Sequence, residues 1–331
     1  MSVVRYATSL AHGDQAYPQW LSMSGRYALM WSGGKDSALA LRRARAAGVD
    51  VSLLLNFYDQ ATGRVRFHAT PIALLHEQAA AIGIELRAIG TTWPEMDARL
   101  REELKRLRDE DFAGVVFGDI HLADVRAWYE ERVVATGLEH VEPLWGDAST
   151  DLLAEYVATG GRAVVTCVDL ARLDESWLGR IIDDVFVADI ASAGIDACGE
   201  NGEYHSFAFE GPVFARPVYW FAGERRIDGS FAQLDVKHSG DNQNFRADVR
   251  LSGLVDPRPT FANLASSTGL PYDAVVHHAL VRYASSGAEA LLSIEPQALR
   301  ELIAARKAED WKKVGAIIDW LAAGFESTNW H

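Results

Sequence analysis

Short apolar runs alternate with amphipathic stretches over roughly the first 140 residues of the chain. The apolar runs predict strands over residues 27–31, 51–57, 84–89 and 113–117. The stretches between and after them repeat their apolar residues at helical spacing and predict helices over 36–47, 71–82, 96–107 and 122–135. Strands that alternate with helices build a parallel sheet with helices on both faces, joined by right-handed crossovers. The predicted fold class is therefore α/β.

The pattern of alternating strands and helices changes after residue 140. A predicted helix over 150–158 and a predicted strand over 163–168 precede short alternating runs at 206–209 and 217–220. This pattern favours a smaller α+β second domain. A polar segment and then a helical pattern follow. The predicted domains are a leader, an α/β domain, a second domain, and a linker with a helical extension, over residues 1–24, 25–140, 141–237 and 238–331.

Composition narrows the class of protein. The chain has 331 residues, of which 49% are hydrophobic and 24% charged, as in ordinary globular proteins. A formal net charge of −14 disfavours binding to a nucleic-acid backbone. The two cysteines exclude a disulfide framework, and the apolar runs are too short for a membrane helix, so a cytoplasmic protein is predicted.

The first predicted strand and helix are joined by Ser32-Gly33-Gly34-Lys35-Asp36-Ser37. Two glycines let a backbone approach a polyanion closely, and the following helix offers free N–H groups and the positive end of its dipole. The serine hydroxyls and the lysine add hydrogen bonds and a cation. The string is shorter than a Walker motif and lacks a dinucleotide fingerprint. A phosphate-binding loop is predicted; a capped strand–helix turn is the alternative.

A second polar cluster follows Cys198 and consists of Gly199, Glu200, Asn201, Gly202, Glu203, Tyr204 and His205. Two carboxylates and an imidazole could orient an ammonium ion and remove its proton, and the glycines let the loop fold close to a ligand. The alternative is a solvated acidic turn. Cys198 itself could carry sulfur as a thiolate or could be a small buried side chain.

The string at residues 32–37 resembles the PP-loop of the N-type ATP pyrophosphatases, which share an adenine nucleotide alpha-hydrolase-like sheet. Further segments resemble the diphthine–ammonia ligase family, and these are Phe117-Gly118-Asp119-Ile120, Glu142-Pro143-Leu144-Trp145 and the run from Cys198 to Ser206. Asn201 and His205 place the last run nearer the bacterial subgroup. The resemblance covers residues 25–237. It implies an enzyme that adenylates a carboxylate with ATP, releases pyrophosphate, and transfers ammonia to give an amide and AMP.

The resemblance also implies roles for individual residues. The phosphates are expected to bind to Ser32, Gly33, Gly34, Lys35 and Ser37. The adenine is expected near Leu55 and Asn56, and His68 is expected to contact the nucleotide. Asp36 is expected to help place Mg²⁺ or to cap the helix. Catalysis is expected from Asp119, Glu200, Glu203 and His205, and substrate binding from Gly199, Asn201, Gly202 and Tyr204.

Two other functions remain open at this point. A sulfurtransferase would use Cys198, and a nucleotide sensor would bind ATP without turnover and dock a partner on its C-terminal helices. An apolar stripe at helical spacing in residues 299–321 is typical of a core seam or of a homodimer contact. The expected partners are a carboxylate on a small molecule or a protein, and ammonia.

Overall fold

The computed structural model describes residues 24–218 and 220–238. Nearly all of the predicted leader and C-terminal extension lies outside the described residues. One compact unit comprises Met1–Val218 and Glu224–Val236, and it holds every contact discussed below; a second comprises Tyr219–Gly223 and Lys237–His331. Among the described residues, no helix combines the length and apolarity needed to cross a bilayer.

The first sheet has six strands: β1 (Arg26–Met30), β2 (Asp50–Asp59), β3 (Arg64–Val65), β4 (Glu85–Thr91), β5 (Phe112–Val116) and β6 (Glu139–Val141). The order is β3-β2-β1-β5-β6, and β4 also pairs with β2. The short β3 is antiparallel to β2, whereas β1, β2, β4, β5 and β6 pair in parallel. The prediction of a parallel α/β domain is confirmed.

Four helices connect these strands: α1 (Lys35–Ala46), α2 (Ile72–Ile82), α3 (Met96–Asp109) and α4 (Ala123–Ala135). The helical spacing of Leu100, Leu104 and Leu107 puts all three on one buried face of α3, in a core cluster with β2 and β5. Burying each leucine contributes on the order of 2 kcal/mol. Gly83 ends α2 in a left-handed conformation with φ of 75°.

The strand order reverses at β1, because β2 lies on one side of it and β5 on the other. The carboxyl ends of β1 and β5 therefore border a crevice, and ligands of open α/β sheets bind at such a reversal. Helix α1 begins five residues after the end of β1. The loop between them, predicted to bind phosphates, thus lies at the crevice.

The second sheet contains β7 (Arg162–Asp169), β8 (Ile181–Ile182), β9 (Tyr204–Glu210), β10 (Trp220–Asp228) and β11 (Phe231–His238), with the helices α5 (Ser149–Ala158) and α6 (Asp184–Ser192). Strand β7 is antiparallel to β8, β9 and β11. The predicted strand over 217–220 is wrong, because the strand begins at Trp220 and continues to Asp228. Pro217 has no N–H to give to a ladder, and charged residues obscure the later alternation.

Strand β9 connects the second sheet to the loop between β1 and α1, residues 32–37. The amide of Ala208 donates to the carbonyl oxygen of Gly33 at 2.8 Å. The Gln78 side-chain amide donates to both carbonyls, Gly33 at 2.9 Å and Ala208 at 2.6 Å. The amide of Lys35 donates to the hydroxyl of Ser206 at 3.2 Å. The two sheets therefore meet where α1 begins.

Candidate active site

A cavity of about 330 Å³ opens at the carboxyl ends of β1, β2 and β5, beside the start of α1 and of β9. Its polar lining includes Ser32, Lys35, Asp36, Ser37, Asn56, His68, Asp119, Glu200 and His205. Its apolar wall is formed by Met30, Leu55, Phe57, Met96, Phe117, Val125 and Tyr129. Residues from both sheets therefore face one space.

The phosphate loop, residues 32–37, needs its two glycines. Gly33 has φ of +80°, and a Cβ added there would lie 2.7 Å from Oε1 of Gln78. A Cβ on Gly34 would lie 2.8 Å from Cε1 of His68 and 3.1 Å from the carbonyl oxygen of Ser206. The N–H groups of the first helical turn have no acceptor within the helix, and the helix dipole adds positive potential. The loop therefore provides the site that an anion prefers.

Lys35 is 2% exposed and lines the cavity. Its Nζ donates to Oδ2 of Asp36 at 2.9 Å and to the carbonyl oxygen of Cys198, and it lies 4.7 Å from the centre of the Tyr204 ring. Burial is the largest single effect and lowers the pKa of Lys35, but Asp36, Tyr204 and Cys198 together raise it by more, so the net shift is upward. The side chain stays charged at neutral pH.

Three carboxyl groups share the cavity: Asp36, Asp119 and Glu200. Burial, reinforced by Asp36, raises the pKa of Asp119 to about 6. Burial and Asp36 likewise raise the pKa of Glu200 to about 7, although the amide of Ile120 donates to its Oε1 at 2.9 Å. Carboxylates that repel one another favour a bound cation. No group of three or more metal-binding side chains is preassembled among the described residues.

A buried glutamate, Glu142, lies near these carboxyl groups and contacts Arg126 and His140. Nε of Arg126 is 3.0 Å from Oε2 of Glu142, and Nε2 of His140 is 3.5 Å from Oε1. Burial raises the pKa of Glu142 to about 8, against the opposing effect of Arg126, and Asp119 and Glu200 add to the rise. Burial and Arg126 lower the pKa of His140 to about 4. No role was predicted for Glu142 from the sequence, although it directly follows β6.

Two imidazoles face the phosphate loop. Nδ1 of His68 lies 2.9 Å from the carbonyl oxygen of Ser206, and the ring centres of His68 and His205 are 4.9 Å apart. Burial lowers the pKa of His68, and it lowers that of His205 well below the usual range, with His68 adding to the effect. Both rings are therefore neutral near pH 7.

The acidic loop, residues 196–203, divides its side chains between two directions. Glu200 faces the cavity, whereas Glu203 is 1% exposed and does not line it. Oε1 of Glu203 accepts from Nη1 of Arg172 at 2.7 Å and from Nδ2 of Asn201 at 3.2 Å. The structure thus separates two carboxylates that the sequence analysis grouped, and it leaves Asn201 and Gly202 outside the lining.

Asp196 explains this division, because its Oδ1 accepts from the amides of Cys198 at 2.9 Å and Glu200 at 3.1 Å. The Cys198 thiol is buried and donates to the carbonyl oxygen of Ser149 at 3.2 Å. Burial raises the pKa of Cys198 well above its ordinary value. The backbone of Gly199 and the ring of Tyr204 do line the cavity, with the Tyr204 hydroxyl donating to Ala197 at 2.7 Å.

Leu55 and Asn56 lie at the apolar wall. The carbonyl of Leu55 accepts from the amide of Trp31 at 2.8 Å, and Nδ2 of Asn56 donates to the carbonyl of Trp31 at 2.7 Å. Oδ1 of Asn56 is buried and has no hydrogen-bond partner among the described residues. Asn56 therefore fixes the end of β1, and its Oδ1 is a buried acceptor that the described residues leave unsatisfied.

Several lining residues had no role predicted from the sequence, namely Arg66, Phe67, Trp93 and Ser206. Trp93 follows the carboxyl end of β4, and Phe67 lies in the loop after β3. Bulky aromatic residues directly after strands of an α/β sheet are the signal that could have found these two. Ser206 carried no such signal, because only the pairing of β9 brings it to Lys35.

Comparison with known proteins gives three family matches. Residues 25–140 match the diphthamide synthase N-terminal domain, and residues 149–240 match the diphthamide synthase C-terminal domain. Residues 225–323 match a family of unknown function, DUF6027. The described residues of the cavity all fall within the first two matches.

Curated relatives carry the name diphthine–ammonia ligase. The protein of Rattus norvegicus is 27% identical over 260 residues, which is 69% of this chain and 91% of the relative. The protein of Homo sapiens is 26% identical over 239 residues, covering 64% of this chain and 89% of the relative. The protein of Danio rerio is 25% identical over 231 residues, with 61% and 90% covered.

Proposed function

Because the chain belongs to the diphthine–ammonia ligase family, we propose that it is an ATP-dependent ligase that converts a carboxylate into an amide. A carboxylate oxygen attacks the α phosphorus of ATP, and pyrophosphate leaves. Ammonia then attacks the carbonyl carbon of the acyl-adenylate, and AMP leaves with one of the original carboxylate oxygens. The ammonium ion that delivers ammonia gives up a proton before the attack.

One observation carries this proposal: the phosphate loop and the acidic loop, from different sheets, line the same cavity. Phosphate binding and proton transfer thus have neighbouring groups to perform them. Holding two reactants in one site is worth effective molarities up to ~10⁵ M or more. A cavity that joins an anion site to a carboxylate cluster suits a reaction in which ATP activates a carboxylate and ammonia then attacks the adenylate.

In the proposed complex, the amides of Asp36 and Ser37 in the first turn of α1 and the hydroxyls of Ser32 and Ser37 bind the β and γ phosphates, while the amides of Gly34 and Lys35 donate to Ser32 and Ser206. Lys35 lies at the same loop and supports the departing pyrophosphate by its charge. The adenine lies against the apolar wall, where the carbonyl of Leu55 and Oδ1 of Asn56 offer acceptors. This arrangement leaves the α phosphate facing Asp119 and Glu200.

Magnesium fits the lining, because the repulsion among Asp36, Asp119 and Glu200 is relieved by a cation. Asp36 is the residue that we propose to hold it, together with phosphate oxygens. When bound, the ion supplies charge that stabilises pyrophosphate as the leaving group. Helix capping by Asp36, the alternative from the sequence, lacks support because the Asp36 carboxylate pairs with Lys35.

Glu200 is proposed as the group that takes the proton from ammonium. Its pKa of about 7 is closer to working pH than the pKa of Asp119, about 6, as an efficient general base requires. Asp119 is proposed to orient the ammonium ion. His205 is neutral and adds a hydrogen-bonding nitrogen, while Glu203 supports the acidic loop from outside the lining.

The other two functions have less support. A sulfurtransferase needs an accessible thiolate, but Cys198 is buried with a raised pKa, and Cys167 is buried as well. A sensor without turnover would not need acids beside the phosphate loop. A cytoplasmic location, the bacterial subgroup and a homodimer stay predictions from the sequence.

The proposed reaction is tested by following the oxygen atoms of the carboxylate into AMP. The full chain is incubated with ATP, Mg²⁺, ammonium and a panel of carboxylic acids labelled with ¹⁸O in the carboxyl group. Pyrophosphate is measured continuously, and AMP is examined by mass spectrometry. We expect pyrophosphate release with the correct acid and one ¹⁸O atom in AMP. The control reaction contains unlabelled acid, and a second control omits ammonium.

Labelled phosphate in place of labelled AMP would contradict the adenylate, because it would mean that the γ phosphorus was attacked. Tight ATP binding without pyrophosphate release across the whole panel would favour the sensor. Activity that needs a sulfur donor and disappears in Cys198→Ser would favour the sulfurtransferase. Each function therefore gives a different product pattern.

A further inference from the structure

Four aromatic rings form a continuous series from solvent to the phosphate loop, which we call the aromatic ladder: Trp93, Phe67, His205 and His68. Successive ring centres are 6.1, 6.0 and 4.9 Å apart, and all four residues line the cavity. Trp93 is 63% exposed and Phe67 is 58% exposed. Large aromatic rings left open beside a cavity are typical of a binding site.

The loop that presents Phe67 is held in an unfavourable conformation. Phe67 has φ of 64° and Ala69 has φ of 55°, in the left-handed region that side chains rarely adopt. Arg64 fixes the loop, because its Nη1 donates to the carbonyl oxygen of Ala69 at 2.6 Å. Strained backbone that is held this firmly occurs mostly at sites of function. The position of the Phe67 ring is therefore not a product of hydrophobic burial.

The charged group beside Trp93 indicates which kind of ligand the aromatic ladder binds. The guanidinium of Arg66 lies 5.0 Å from the centre of the Trp93 ring and is held by Asp59 at 3.1 Å. This cation already occupies a face of Trp93, and the two imidazoles of the ladder are neutral. A cationic ligand would have to displace Arg66 from the Trp93 ring, whereas a carboxylate would not compete for that position. The ladder thus favours an anion with a flat apolar body.

We propose that the aromatic ladder binds the second substrate of the ligase and that this substrate carries its carboxylate on or near a flat, unsaturated ring. The inference rests on the proposed function for the identity of the ligand as the acid to be adenylated. In the proposed complex the adenine lies against the apolar wall around Leu55 instead. Stacked rings gain about threefold to tenfold in affinity beyond their buried area, which a saturated ring of equal size does not gain.

The test uses three small probes on the full chain. Phenylacetate has a flat ring and a carboxylate, cyclohexylacetate has a saturated ring of similar size, and phenylacetamide has no charge. Binding is measured by ligand-observed NMR in the presence of a non-hydrolysable ATP analogue. We expect phenylacetate to bind in the millimolar range and about threefold to tenfold more tightly than either other probe.

Variants show whether the preference for the flat ring arises at the aromatic ladder. Trp93→Ala and Phe67→Leu should remove the preference for the flat ring while the affinity for the ATP analogue stays unchanged. Ile227→Ala is the control, because Ile227 is 57% exposed but does not line the cavity, and it should preserve the preference. Far-ultraviolet circular dichroism and thermal melting check that all variants fold.

Equal binding of the flat and saturated rings would overturn the proposal, and so would the absence of saturable phenylacetate binding. Loss of affinity for the ATP analogue in Trp93→Ala would also overturn it, because the adenine would then occupy the ladder. These measurements need no turnover. A preserved ring preference without ¹⁸O transfer to AMP would therefore reject the proposed ligase reaction and leave the ladder as a site for a ring-bearing acid.

Discussion

The phosphate loop and the acidic loop hold their charged side chains differently. In the phosphate loop, Lys35 donates to Asp36 and to the carbonyl oxygen of Cys198. In the acidic loop, Glu200 accepts from the amide of Ile120, whereas Glu203 points away from the cavity to Arg172. The two loops also differ in the space around their glycines. Gly34 has no room for a Cβ, but a Cβ on Gly202 would meet nothing within 4 Å. The phosphate loop is tightly packed at the cavity, whereas the acidic loop adds Cys198, Gly199 and Glu200 to the lining and directs Glu203 away from it.

The difference has a structural cause. The phosphate loop joins a strand to a helix, so its amides point toward one spot by local geometry alone. The acidic loop is shaped by Asp196 and by the start of β9, and its side chains therefore diverge. A charge fixed by local geometry is suited to binding, while a carboxyl with a raised pKa is suited to proton transfer.

The largest effect is expected for Lys35. Lys35→Ala removes the cation that supports the leaving pyrophosphate, and we expect pyrophosphate release to fall by about 10²- to 10³-fold, as for other fixed donors at a transition state. Lys35→Met is the matched control for lost volume, since Lys35 is buried. Thermal melting separates misfolding from lost chemistry. Activity of either folded variant near that of the wild type would remove the phosphate loop from the reaction.

The comparison of the two carboxylates in the acidic loop comes next. Glu200→Gln should lower kcat by about 10²-fold while ATP binding persists, because a general base is lost. Glu203→Gln is its matched control. It should change kcat little and lower the melting temperature by about 2–4 °C, corresponding to about 1 kcal/mol for a pair whose arginine is partly solvated. Equal losses of kcat in the two variants would restore Glu203 to the catalytic group that the sequence suggested.

A pH profile sharpens the role of Glu200. Its pKa is raised to about 7, so the carboxyl is protonated below that pH and cannot accept another proton. With total ammonium fixed, kcat/KM should rise about tenfold per unit between about pH 5 and about pH 7, then level off. Glu200→Gln should flatten the rise. A wild-type profile without an inflection near pH 7 would exclude Glu200 as the proton acceptor.

The smallest effects are expected at the glycines. Gly34→Ala would place a Cβ 2.8 Å from His68, so we expect ATP affinity to fall several-fold, measured by calorimetry. Gly202→Ala meets open space, but its φ of +86° costs about 1–2 kcal/mol for a side chain, so it should lower stability alone. Weaker ATP binding in Gly202→Ala than in Gly34→Ala would reverse the contrast between the loops.

Much of the fold was predictable because its elements follow local rules. The alternation of apolar runs and helical spacing located β1, β2, β4 and β5 and the helices between them to within a few residues. The strand over 217–220 was misplaced, and α6 and β11 were missed, because their charged residues or short length hide the period. Local patterning therefore served best in the parallel sheet, whose buried strands are uniformly apolar.

The sequence by itself determined the α/β class, the glycine loop before α1 and the set of acids that could perform chemistry, because these depend on short-range spacing and residue type. The tertiary structure alone decided that Glu200 faces the cavity while Glu203 does not, that Ser206 meets Lys35, and that four rings line up from Trp93 to His68. These facts depend on how β9 pairs and where distant loops meet. Contacts between residues far apart in the chain follow from packing, which local spacing does not encode.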